Sequence, residues 1–181
     1  KLKFDVNGGH IDIEGRGVDA PDAFDIISRS AKIAANIHAG RIDIITGRNQ
    51  VDYATRAVTV KVDDGSTKPG LAIDSTAFGG MYANRIEIVA TEQGVGVNMQ
   101  GPAKASAGDL FAKAAGRLQV KNATASNKVK LESAQSNVEI SEKLHAGTDL
   151  KLKAAQTVSV GNGASAAAAG NIDVDATALV I

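Results

Sequence analysis

The sequence predicts an all-β fold, a solenoid in which coils of about 20 residues stack on one another, and three observations point to it. Short runs in which apolar residues alternate with polar ones recur along all 181 residues. Two series of apolar residues repeat at a nearly constant spacing. The composition is poor in bulk, with six aromatic residues and no Trp against 31 Ala and 19 Gly. Aromatics dominate ordinary cores and ligand pockets, so this chain buries its surface with Ile, Val, Leu and Ala in thin layers.

The alternating runs occupy 10–14, 32–37, 41–45, 57–62, 85–89, 94–97, 117–120, 128–131, 137–140, 149–152, 157–160, 171–174 and 178–181. Each is bounded by Gly, Asn, Asp or Ala-Gly, the punctuation expected between strands. Alternation buries one face of a strand and wets the other, which sets Val138 and Ile140 inward and Glu139 outward. Leu118, Val138 and Val158 fall 20 residues apart, and the offset series Val129, Leu150 and Ile172 steps by 21 and 22. Hairpin meanders need no fixed period, whereas stacked coils do, so each coil contributes at least two strands. At about 20 residues per coil the chain holds about nine coils, a body on the order of 40 Å long at the strand spacing. Stretch 19–35 reads either as an amphipathic helix with Pro21 in its first turn or as strands. Stretch 104–115 is Ala-rich and helix-like but interrupted by Gly108 and flanked by Gly101, Pro102 and Gly116. Stretch 63–70 reads as an exposed loop.

Twenty basic and twenty acidic residues cancel overall, and they nearly cancel within each half. The net charge therefore gives no reason to expect nucleic acid or an anionic membrane as partner. Zero cysteines exclude disulfides, thiolate-bound metals and thiol catalysis, without excluding export. No apolar run reaches the length of a membrane-spanning helix, and residues 1–5 carry no signal-peptide core.

Few residues have a pattern that suggests chemistry. His10 and Asp12 share a strand face but form only half of a metal site, while His38 and His145 stand beside turns without a partner histidine. Asp12, Asp43 and Glu87 lie outward on similar Ile-acid-Ile strands. A carbohydrate-active enzyme on stacked coils would need such carboxylates clustered with an Arg or Lys on one face. A sugar-binding module would instead show an exposed aromatic platform. Residues 94–101 are glycine-rich without matching a dinucleotide or phosphate loop, and Asn122-Ala123-Thr124 is a glycosylation-type tripeptide that also suits a turn. The expectation is no catalytic residue, no metal, no cofactor and no small-molecule substrate.

One segment is more specific. Residues 77–97, containing Gly79-Gly80-Met81-Tyr82-Ala83, Thr91-Glu92 and Gly94-Val95-Gly96-Val97, resemble the signature of two-partner secretion exoproteins, the filamentous haemagglutinin and contact-dependent growth inhibition family of Gram-negative bacteria. Residues 27–49 are similar to the family segment just before it. The resemblance runs over the whole chain, most closely over 25–101. It implies a right-handed parallel β-helix, with residues 1–100 the C-terminal part of the secretion domain and 101–181 the first haemagglutinin-type repeats of a rod. It further implies a structural, non-enzymatic segment of a large secreted or surface-attached adhesin or toxin carrier. Such a protein is exported through a partner outer-membrane transporter with periplasmic domains, and other parts of it meet a host or target-cell receptor. The signal peptide would then lie upstream. The family's Asn-Pro-Asn-Gly motif does not occur in these residues, so the segment alone is not expected to be fully export-competent.

Overall fold

The computed structural model describes residues 2–181, which form twenty strands and no helix. Seventeen strands join in one parallel sheet that winds on itself, and three form a separate antiparallel sheet. Each coil turns through three faces rather than the minimum of two. The first face stacks Ile11, Ala31, Ile73, Val97, Leu118, Val138, Val158 and Leu179 in one inward column. The second stacks Ile37, Met81, Ala103, Ala123, Leu144 and Ala166. The third stacks Phe24, Ile42, Ile86, Leu110, Val129, Leu150 and Ile172. Both periodic series of the sequence are thus rungs of one parallel β-helix. Its single core holds the buried Ile, Val, Leu, Met and Ala of all three faces.

The coils number about eight, not nine, because residues 47–70 leave the helix between the second and third coils. Strands Asn49–Asp52 and Val58–Val60 of this insert pair antiparallel, and Lys3–Asp5 adds to the outer side of the first. The register Phe4–Val51–Val58 puts three apolar residues on one side of the small sheet, and Val51 is fully buried there. The run at 57–62 therefore belongs to this sheet and not to a coil. In the connecting turn Arg56 adopts a left-handed backbone (φ 59°), and Asp52 Oδ1 accepts from the Ala54 and Thr55 amides at 3.1 and 2.9 Å. Loop 63–70 is exposed as expected, tied by Lys68 to Asp63 at 2.8 Å.

Both ambiguous stretches are strand and corner. Val18–Ser28 runs through two faces with a register break between Ala20 and Ala23. Pro21 sits in that bulge, where its missing N–H removes no ladder bond. Beyond it Ile26 stacks on Ile44 and Ile27 on Ile45, so β-branched packing decides against a helix. Run 32–37 is likewise two strands, Ser30–Ile33 and the start of Ile37–Thr46, separated by a corner. In 104–115 the alanines at 105, 112 and 114 point inward and are buried. Gly108 lies at a corner where a Cβ would meet the Asn84 carbonyl oxygen at 3.1 Å.

Outward positions carry charge in columns. Lys113, Glu132 and Lys153 stack on the third face. Burial pushes the Glu132 carboxyl up, but Lys113 at 3.0 Å and Lys130 at 3.4 Å outweigh it and hold it below its ordinary value of 4.5. A depressed acid stabilises the fold above its unfolded pKa, and that stability is lost as pH falls through the folded one. Glu132→Gln is expected to cost about 0.5–1 kcal/mol at pH 7. In thermal melts the gap from wild type should close as the pH is lowered past 4.5 into the acid range.

Candidate functional site

The family-like motif folds into two corners of the third coil. At the first, between strands Leu71–Ser75 and Met81–Ala83, the chain passes so close to the coil below that a Cβ on Gly79 would overlap the Ile33 carbonyl oxygen. Gly80 has the Asn36 Oδ1 only 2.8 Å from where its Cβ would stand, and its N–H donates to that oxygen at 3.0 Å. The Ser75 hydroxyl donates to the Gly79 carbonyl at 2.7 Å, and Ser75 Oγ in turn accepts the Gly101 N–H at 3.2 Å from the coil above. Met81 and Ala83 then point into the core. Tyr82 points outward and stacks on His38, ring centroids 4.8 Å apart and planes within 9°. Each ring of this pair already covers a face of the other, and a second pair, Phe4 and Tyr53, is tilted by 56° and presents no flat platform.

The second corner carries Thr91 and Glu92. Glu92 faces Arg29, at the end of the first coil, in a two-pronged pair with Nε–Oε2 at 3.1 Å and Nη2–Oε1 at 2.6 Å. The side chains are only 13% and 8% exposed, making this the most buried ion pair among the described residues. The hydrogen bond to Glu92 raises the Arg29 guanidinium above its ordinary pKa despite burial, with Asp64 and Asp63 of the insert adding to it. The Thr91 hydroxyl lies 2.7 Å from Asn49 Oδ1 and 3.2 Å from the Thr46 carbonyl, and the Thr91 N–H donates to that carbonyl at 3.1 Å. Gly47, in the left-handed region (φ 112°), leaves the space that Thr91 Oγ1 fills. Gly94 turns the chain with φ 78°, Val95 and Val97 are buried, and Gly96 runs beneath the Arg117 carbonyl, 2.8 Å from where a Cβ would lie. Arg29, Asn36, Asn49, Ser75 and Gly101 complete these corners. Sequence reasoning gave none of them this role, because nothing local marks a partner one or more coils away.

Of the outward carboxylates, Asp43 and Glu87 do come together, stacked with Asp25 on the third face. Asp12 lies on the first face, its Oδ1 3.1 Å from His10 Nε2. Three guanidiniums answer the three stacked carboxylates. Arg41 reaches Asp43 at 2.7 Å and Asp25 at 3.6 Å, Arg56 bonds Asp25, and Arg85 bonds Glu87. Burial raises the Asp43 carboxyl, with Arg41 opposing the rise and Asp25 and Glu87 adding to it. Asp43 and Glu87 line a cleft of about 630 Å³ between this face and Tyr53, Arg56 and Val58 of the insert. Paired in this way they form an electrostatic seam on which the insert rests. No group of three or more His, Cys, Asp or Glu residues among the described residues is placed to hold a metal ion. His145 stands alone and exposed on the second face.

Comparison with known proteins agrees with this architecture. The model of the TPS secretion domain family matches residues 1–120. Toxin CdiA of Yersinia pestis is 44% identical over 117 residues, 64% of this chain and 4% of that protein. The 16S rRNA endonuclease CdiA of Enterobacter cloacae is 40% identical over 133 residues, 72% of this chain and again 4% of the relative. The chain thus spans about 4% of the length of the curated relatives it matches. The crystal structure of the filamentous hemagglutinin secretion domain superposes over 99% of this chain and 54% of that one, with a TM-score of 0.56 and 21% identity, a likeness of fold. With two thirds of its length matched by the family model, the chain belongs to the TPS secretion domain family.

Proposed function

We propose that this chain is the export-directing, rod-initiating segment of a very large exoprotein of a Gram-negative bacterium, and that it performs no chemistry of its own. The observation that carries the reading is the family match over residues 1–120, joined to coils whose first-face column continues past it from Leu118 through Val138 and Val158 to Leu179. In this reading residues 1–100 are the C-terminal part of the secretion domain and 101–181 the first repeats of the rod. The motif residues Gly79, Gly80, Met81, Tyr82, Ala83, Thr91, Glu92, Gly94, Val95, Gly96 and Val97 serve structurally, closing the two corners of the third coil. A partner outer-membrane transporter recognises the segment during export, a signal peptide precedes it, and receptor contact belongs to other parts of the protein.

The relatives also favour a toxin carrier over an adhesin. Their names differ in activity, from tRNA nuclease in Burkholderia pseudomallei to 16S rRNA endonuclease in Enterobacter cloacae, while the aligned segment is shared. An activity that varies while this segment stays alike resides outside it. The test is secretion of the native exoprotein from cells carrying its transporter, with and without residues 1–120. Loss of the protein from the medium and cell surface on deletion is expected. Undiminished export of the deleted form would overturn the reading.

A further inference from the structure

The fastenings of the insert have a direction along the chain. Arg29 closes the first coil, Gly47 and Asn49 open the insert, and the groups that complete them, Thr91 and Glu92, arrive only at the end of the third coil. At the far end of the insert, Lys68 Nζ donates to the carbonyl of Gln93 at 3.2 Å. Asn49 is also where the N-terminal strand meets the insert, its N–H and C=O both bonded to Val6 at 3.2 and 2.8 Å. Until residues 91–93 are in place, the nearly buried position that Arg29 takes in the finished fold lacks its directly paired carboxylate, with Asp63 and Asp64 of the insert acting on it only through space, and Asn49 lacks its hydroxyl partner. Such groups oppose ordering until they are paired. The corresponding corners of the fourth, fifth and sixth coils hold Ala115-Gly116, Ala134-Gln135 and Ala155-Gln156, none of them charged.

We propose that Thr91, Glu92 and Gln93 are a closing latch, so that the first three coils, the insert and strand Lys3–Asp5 consolidate as one unit when the third coil is completed. Coils from the fourth onward add to that unit one at a time. For a chain delivered from its N-terminus, the latch keeps roughly the first 90 residues from settling stepwise into native coils. The inference stands on this geometry and does not depend on which exoprotein contains the segment.

Hydrogen exchange on the whole chain tests it in two ways. During refolding with pulsed labelling, the amides of Ala34, Gly47, Asn49 and Asp52, each bonded across coils or strands in the native fold, should gain protection no earlier than those of Thr76 and Thr91. In the native state, Glu92→Gln and Thr91→Val should each lower protection at Gly47, Asn49 and Asp52 at least tenfold, while Ala155 and Gly161 change less than threefold. Earlier protection of the first two coils and insert would overturn the latch. So would an even loss over all coils, which would make Glu92 an ordinary stabilising residue. Should a variant fail to fold, the refolding order of the unaltered chain decides alone.

Discussion

Val138→Asp is expected to lower stability by about 4–5 kcal/mol, enough to unfold a marginal domain at room temperature. Val138 is fully buried, between Leu118 in the coil below and Val158 in the coil above. A carboxylate at that level is ringed by apolar side chains of three faces, and no Lys or Arg among the described residues is buried in the core to pair it. Ile140→Asp should behave alike, since Ile140 is 2% exposed in the same strand. Between them Glu139 faces out, accepting from Gln119 at 3.0 Å with Arg117 at 3.7 Å. Glu139→Lys exchanges this pairing for mild repulsion from Arg117, so it should cost under about 1 kcal/mol. Urea unfolding of the three variants measures the contrast. Equal, mild effects would place the strand in the opposite register, because a one-residue slip exchanges the two faces.

How far the sequence can be read follows from the range of the interactions involved. Leu118, Val138 and Val158 announce the fold because stacking repeats one local pattern at one spacing, and each rung reinforces the next. The third face was harder to see, since its strands run on from the second with only a bend, as in Ile37–Thr46. The alternation of 57–62 is real, yet alternation says which residues share a face and not which sheet they join. Val58–Val60 therefore looked like part of a coil and lies in the insert. The corners are the least legible. Arg29 and Glu92 meet across 63 positions, two coils and an insert, and only the resemblance pointed to Glu92 at all. Asp43 and Glu87 were visible singly, but that they stack in one column with Asp25, answered by three arginines, depends on the coil register.

The motif glycines show how a resemblance becomes physical, and Gly79→Ala is the sharpest case. The expected cost is about 3 kcal/mol, without any demand for an unusual backbone angle, since Gly79 is not among the residues with positive φ. The cause is proximity. A methyl at Gly79 would overlap the Ile33 carbonyl, whose oxygen accepts the Thr76 N–H at 2.9 Å. Moving Ile33 breaks that bond, and moving Gly79 disturbs the Ser75 hydroxyl that holds both its carbonyl and the Gly101 amide. Neither retreat is free, because three successive coils share the corner. Gly70→Ala is the matched control, with open space around it and no left-handed angle, and should lie within about 0.5 kcal/mol of wild type. Chemical denaturation of both variants compares them directly. A Gly79→Ala protein as stable as Gly70→Ala would mean the coils stand further apart at this corner. Asn36, Ser75 and Gly101 would then have no common point to hold, and the paired glycines of the motif would need another explanation.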